Sequence, residues 1–135
     1  MKTFSLSKYE RVKLKKDFQK IYSQGSFLLS PRKQIKVNYF LESSVNDIGV
    51  KAAFVVSRKA GSAVWRNRVK RLFREAYRLN KQSLCDLCVS KNFLLLVSFS
   101  PYNVNQKKNK KINLDFILHD FIDLLNKMKS KVEDA

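Results

Sequence analysis

Apolar residues recur along the chain with two periods, and each period predicts a different element. Leu14, Phe18, Ile21 and Tyr22 fall on one helical face, with Gly25 placed to end the helix. Pro31 breaks the chain. Beyond it Ile35, Val37, Tyr39 and Leu41 alternate with Lys36, Asn38, Phe40 and Glu42, the signature of a strand with one buried face. A polar turn over 43–49 leads to a second, short strand over Lys51–Ser57, expected to pair antiparallel with the first. Gly61 and Ser62 then suit a turn and a helix cap. In the helix that follows, Trp65, Val69, Leu72, Phe73, Ala76 and Leu79 share one side.

The remainder reads the same way. Residues 82–92 form a linker, and Phe93–Phe99 is a near-continuous apolar run, hence a strand buried on both faces and ended by Pro101. A Lys- and Asn-rich loop, expected to be mobile, fills 102–112. Asn113 caps a last helix striped by Leu114, Ile117, Leu118, Phe121, Leu125 and Met128, with Asp115 at the positive end of its dipole. The expected order is α-β-β-α-β-α, an α+β two-layer sandwich with a small mixed sheet in a single domain over 1–135. Residues 1–13 read as a flexible basic arm.

Charge changes the picture. The chain of 135 residues carries 28 Lys and Arg against 11 Asp and Glu, a net +17 at pH 7. With 44% hydrophobic residues this is a folded basic domain, and its natural partner is a polyanion, nucleic acid first. The charge is concentrated. Between Ser57 and Lys81 nine Lys or Arg accompany one acid, Glu75. Arg66, Lys70 and Arg74 repeat at i, i+4, i+8, with Asn67, Arg71 and Arg78 also away from the apolar side. A solubilising face mixes signs; a helix anchored by its other face and carrying one sign is suited to fixed phosphate contacts, Arg by forked hydrogen bonds and Lys as a point charge.

Catalytic constellations are lacking. One histidine, His119, cannot support a Ser/His/Asp set and reads as a partly buried structural residue. Three glycines give no phosphate-cradling loop, and Asp115, Asp120 and Asp123 read as solvated surface. Cys85 and Cys88 are spaced as Cys-x-x-Cys, but no second pair completes a zinc site, so both read as ordinary reduced thiols. The apolar runs are too short to span a bilayer, and the first residues lack the apolar core of an export signal, so the expected location is the cytoplasm, with no membrane partner.

Residues 54–80, Phe-Val-Val-Ser-Arg-Lys-Ala-Gly-Ser-Ala-Val-Trp-Arg-Asn-Arg-Val-Lys-Arg-Leu-Phe-Arg-Glu-Ala-Tyr-Arg-Leu-Asn, resemble the signature of the protein subunit of bacterial ribonuclease P. Arg66-Asn67-Arg68, followed by Lys70-Arg71 and Arg74-Glu75, is its most specific part, and 14–25 is similar to the family's first helix. The resemblance implies a left-handed βαβ crossover, although such units normally cross over right-handed. It also implies an endoribonuclease subunit whose catalysis resides in a partner RNA. That ribonucleoprotein, using Mg²⁺, removes the 5′ leader of precursor tRNA. By the same resemblance Phe18, Tyr22, Lys36, Asn38 and Val55 would line a leader cleft, and Arg66, Lys70 and Arg74 would close its basic side. Ser57, Arg58, Lys59, Asn67, Arg68 and Arg71 would dock or support the RNA. Three positions depart from the family pattern: Asn38 stands for an aromatic, Val55 for a small polar residue and Ala53 for a glycine. Phe40, two residues on and on the same face of the strand, could compensate for Asn38. The alternatives are a stand-alone RNA-binding module for ribosomal or other structured RNA and a DNA reader; the latter usually needs a dimer seam, which the sequence lacks.

Overall fold

The computed structural model describes residues 10–44 and 46–135. Its elements are α1 (Lys15–Gln24), β1 (Ser26–Leu29), β2 (Ile35–Ser43), β3 (Gly49–Phe54), α2 (Ala63–Asn80), α3 (Gln82–Ser90), β4 (Phe93–Pro101) and α4 (Leu114–Glu133), with a short 3-10 turn at Arg58–Ala60. The sheet has four strands in the order β1-β2-β4-β3. β1 and β2 pair antiparallel, as do β2 and β4, whereas β3 and β4 are parallel. It is a mixed sheet with helices packed on it, the α+β class expected.

Three elements differ from the expectation. β3 does not pair with β2; β4 lies between them. The reason is burial. Leu94 to Phe99 are all buried, and only the central position offers cover on both faces. β2 therefore ends and β3 begins on opposite sides of the same end of β4, where the Ser44 N–H donates to Asn92 O at 2.9 Å. Residues 26–29 add an edge strand that is too short to show alternation. Residues 82–90, expected as a linker, form α3, which buries Leu84 and Cys88 against the core.

The sheet separates two apolar clusters. On one face α2, α3 and α4 bury Trp65, Val69, Phe73, Ala76, Tyr77, Phe121 and Leu125 against Ile35, Val37, Val97 and Phe99. On the other, α1 sets Ile21 over Ala53, Leu94 and Leu96, with Phe18 and Phe40 packed at the margin. Within α2 the core side differs from the expected apolar side at two positions: Tyr77 is fully buried and Leu79 is 42% exposed. Tyr77 gains edge contact with Phe54 at 5.9 Å between ring centroids.

The local devices are specific. Ser62 caps α2 by accepting from the Trp65 N–H at 3.2 Å, and Asn113 caps α4 by accepting from the Phe116 N–H at 3.0 Å. Asp120, expected on the surface, is 2% exposed. It accepts from the Ser30 hydroxyl and from the Arg32 N–H, pinning the turn before β2. His119, conversely, is exposed rather than partly buried, since α4 turns Asp120 and Phe121 inward instead. Of the expected N-terminal arm, residues 1–9 lie outside the described residues. Its end is fixed: Val12 N–H donates to Ala52 O at 3.1 Å beside β3, and Glu10 pairs with the buried Lys81 ammonium.

Candidate nucleic-acid interface

The face of the sheet that carries α1 is only partly covered, and the uncovered part is a cleft. Its volume is about 540 Å³, and Tyr22, Lys36, Asn38, Val55, Ser57 and Lys59 line it with Ser100, Asn103 and Asn105. Register explains the grouping. Asn38 stands opposite Ser98 and Lys36 opposite Ser100 on β4, so these side chains share one face. Tyr22, the last aromatic of α1, lies 2.6 Å from Ser98 Oγ through its hydroxyl, which fixes its ring at the wall while leaving it 53% exposed. Four of the five cleft residues expected from the sequence thus meet in one cavity.

The fifth, Phe18, lines a smaller adjoining cavity of about 210 Å³ with Val55, Phe54 and Arg74. Arg74 reaches it from α2, with its guanidinium carbon 5.8 Å from the Phe54 ring centroid. Phe40 lines neither cavity: it packs with Phe18 against the α1 cluster. Phe27, which sequence reading missed, sits directly across the strand from Asn38 in the β1–β2 register. It is 56% exposed, and Lys36 Nζ stands 4.7 Å from its ring centroid. An exposed aromatic on a short edge strand has no periodic signal; the pairing register alone brings it to Asn38.

The cations divide into two flanks of α2. Arg66, Lys70 and Arg74 form one stripe, turned about 40° per step around the helix by the 3.6-residue period. Arg66 Nε is steadied by Gly61 O at 3.1 Å. Arg66 and Lys70 line neither of these cavities; they lie nearer the start of α2 than Arg74. Arg68 lies on the opposite flank, donating through Nε to Ile112 O at 2.9 Å. Asn67 and Arg71, like Arg58 ahead of the helix, face solvent.

The acid of this segment is already engaged. Glu75 binds Arg78, whose Nε donates to Oε2 at 3.1 Å, and that hydrogen bond holds the Glu75 carboxyl below its ordinary range. Among the described residues, none of Arg66, Arg68, Lys70, Arg71 or Arg74 has a carboxylate partner within 4.0 Å. Such an array of cations, anchored through Trp65, Val69 and Phe73, suits an external anion.

Other chemistry is weakly supported. Burial pushes the Cys85 thiol up, and burial together with neighbouring Cys85 pushes Cys88 up to about 12, so neither is an activated nucleophile. Among the described residues no group of three or more His, Cys, Asp or Glu is placed to hold a metal ion. Nor is any helix among them long and apolar enough to cross a membrane.

Known proteins share these features. The family model for Ribonuclease P matches residues 6–128. The ribonuclease P protein component of Geotalea uraniireducens is 41% identical over 83 residues, covering 60% of this chain and 67% of that protein. The one from Porphyromonas gingivalis is 37% identical over 99 residues, covering 72% and 70%. The solved ribonuclease P protein of Thermotoga maritima superposes with a TM-score of 0.62 at 26% identity, over 90% of this chain and 96% of that one. The Staphylococcus aureus protein shares the fold at a TM-score of 0.65 and 23% identity, over 89% and 95%. With the family match running through α1, the cleft strands, the α2 cation array and most of α4, the chain belongs to the ribonuclease P protein family.

Proposed function

We propose that this chain is the protein component of a bacterial-type ribonuclease P, acting in tRNA maturation as one subunit of a ribonucleoprotein endonuclease. It docks on ribonuclease P RNA through the exposed cations of α2 and the 57–59 segment. It holds the single-stranded 5′ leader of precursor tRNA in the cleft. The observation that carries this reading is the pairing of an open cleft, walled by Tyr22 and Lys36, with an adjoining array of cations that lack carboxylate partners among the described residues. A single strand presents bases to aromatic faces and phosphates to cations at once, so a groove offering both suits it without a sequence code.

The protein's own donors do not fit Mg²⁺, which prefers an octahedral set of oxygens. Its carboxylates are dispersed, and several are committed: Asp120 to Ser30 and Arg32, Glu75 to Arg78, Asp47 to Lys51 and Glu42 to Lys20. The metal that leader cleavage requires is therefore assigned to the RNA, and the protein's share is binding and orientation. Lowering phosphate repulsion in the complex would reduce the Mg²⁺ concentration needed.

The test is cleavage of 5′-labelled precursor tRNA at limiting Mg²⁺ by a bacterial ribonuclease P RNA, with and without the protein. Stimulation at the mature 5′ end, lost on replacing Arg66, Lys70 and Arg74 together by Ala, is expected. Tight RNA binding without stimulation, by a protein matched to its RNA, would instead favour a stand-alone RNA-binding module.

A further inference from the structure

The 102–112 loop is not free. The Gln106 N–H donates to Ala60 O at 2.7 Å, and its Oε1 accepts from the Ser62 N–H at 2.7 Å. Trp65 Nε1 donates to Asn109 O at 2.9 Å, and Asn105 accepts from the Lys108 N–H at 2.9 Å through its side chain. Val104 and Ile112 anchor the two ends, at 6% and 1% exposure. The fit at the base is close enough that a Cβ on Gly61 would come within 2.8 Å of both Gln106 and Trp65. A segment whose composition suggests mobility is thus seated on the start of α2.

Seating it builds a third cavity, of about 570 Å³, walled by Lys59, Lys107 and Lys110 with Asn105 and Gln106. Lys59, Ala60 and Asn105 also line the leader cleft, so the two cavities are neighbours across one shared wall. Among the described residues no carboxylate lies within 4.0 Å of these three lysines. Lys107 and Lys110 are exposed on a backbone held in place, so their charges occupy a fixed region beyond the cleft rather than a diffuse one.

We propose that this lysine-walled cavity extends the cleft's phosphate track, taking the phosphodiester backbone of single-stranded RNA that continues past Lys59. The inference rests on the leader-binding reading and deepens it: the chain grips longer leaders than the cleft alone accommodates. The amide groups of Asn105 and Gln106 suit polar contact without base selection, so the gain depends on leader length and not on sequence.

The experiment measures affinity of the reconstituted holoenzyme for precursor tRNAs whose leaders run from about 4 to about 16 nucleotides, the range of single-strand site sizes in comparable grooves. For the wild-type protein, affinity is expected to keep rising with length after the cleft is filled. In K107A/K110A the rise stops early: long leaders bind about tenfold more weakly, as expected of two exposed ionic contacts, while the shortest leaders and mature tRNA are unaffected. K107R/K110R restores the rise. A loss equal at every length and for mature tRNA would overturn the proposal by assigning the lysines to the RNA subunit, and no loss would overturn it by leaving them solvated. Failure of the leader reading itself is distinct: the wild-type holoenzyme would then show no preference for leader-bearing over mature tRNA at any length.

Discussion

Individual residues in the cleft carry chemistry that their type alone does not reveal. Asn38 removes an aromatic that the family pattern leads one to expect, yet the ring of Phe27 stands across the strand, half exposed, with Lys36 beside it. Phe27→Ala is expected to weaken binding of leader-bearing precursor by about 1–3 kcal/mol, the range for one base–aromatic stack. Because the ring is exposed, stability should change by no more than about 0.5 kcal/mol. Binding titrations with precursor and mature tRNA, alongside thermal melts, check both. The cysteines make the opposite kind of statement. Cys88 is fully buried, and its thiol is raised from 9.0 to about 12. A raised folded-state value means that the neutral thiol supports the fold below pH 9 and that this support is lost as pH climbs from about 9 towards about 12. Tyr77, pushed up by its own burial, adds in the same direction. Native protein at pH 8 should leave Cys88 unlabelled by iodoacetamide, and unfolded protein should be labelled at once; rapid native labelling would show that α3 opens readily.

At the scale of elements, the joints matter more than the interiors. α1 must end where β1 begins, because its last turn presents Tyr22 to the cleft. Gly25 makes this possible through space rather than through backbone freedom: a Cβ there would lie 2.2 Å from Tyr39 O and 2.4 Å from Ile21 O. Gly25→Ala is expected to cost about 1–3 kcal/mol, as overpacking does, and to weaken leader binding by displacing Tyr22. Urea unfolding gives the first quantity, and the ratio of precursor to mature tRNA affinity gives the second. α2 shows how one element serves two purposes. Its apolar side is buried under α4 and the sheet, and that anchorage holds Arg66, Lys70 and Arg74 on one flank and Arg68 on the other. The helix, its cap and its charge segregation were legible in the Trp65–Val69–Phe73 spacing. That Tyr77 belongs inside and Leu79 outside was not, because helical spacing fixes an angle around the axis and neighbouring elements decide how wide an arc they cover.

The whole molecule is a cationic body whose net +17 favours any polyanion, and its architecture holds part of that charge on fixed groups. Binding to RNA should weaken linearly on a log–log salt plot. Ala at Arg66, Lys70 or Arg74 should each lower the slope by about 0.7 to 0.9 where that side chain meets a phosphate. Unchanged slopes in all three variants would remove the stripe from the interface. The sequence by itself determined the class of partner, the helical cation array and the α+β content, since composition, period and caps are local properties of the chain. It also held the family signature over 54–80. Only the tertiary structure decided that β4 parts β2 from β3, that 82–90 is a helix, that Asp120 is a buried clamp, that Phe27 stands opposite Asn38, and that the 105–110 loop walls a cavity beside the cleft. Each of these depends on which distant segment supplies a hydrogen bond or an apolar cover, and pairings between distant segments leave no periodic mark in a single sequence.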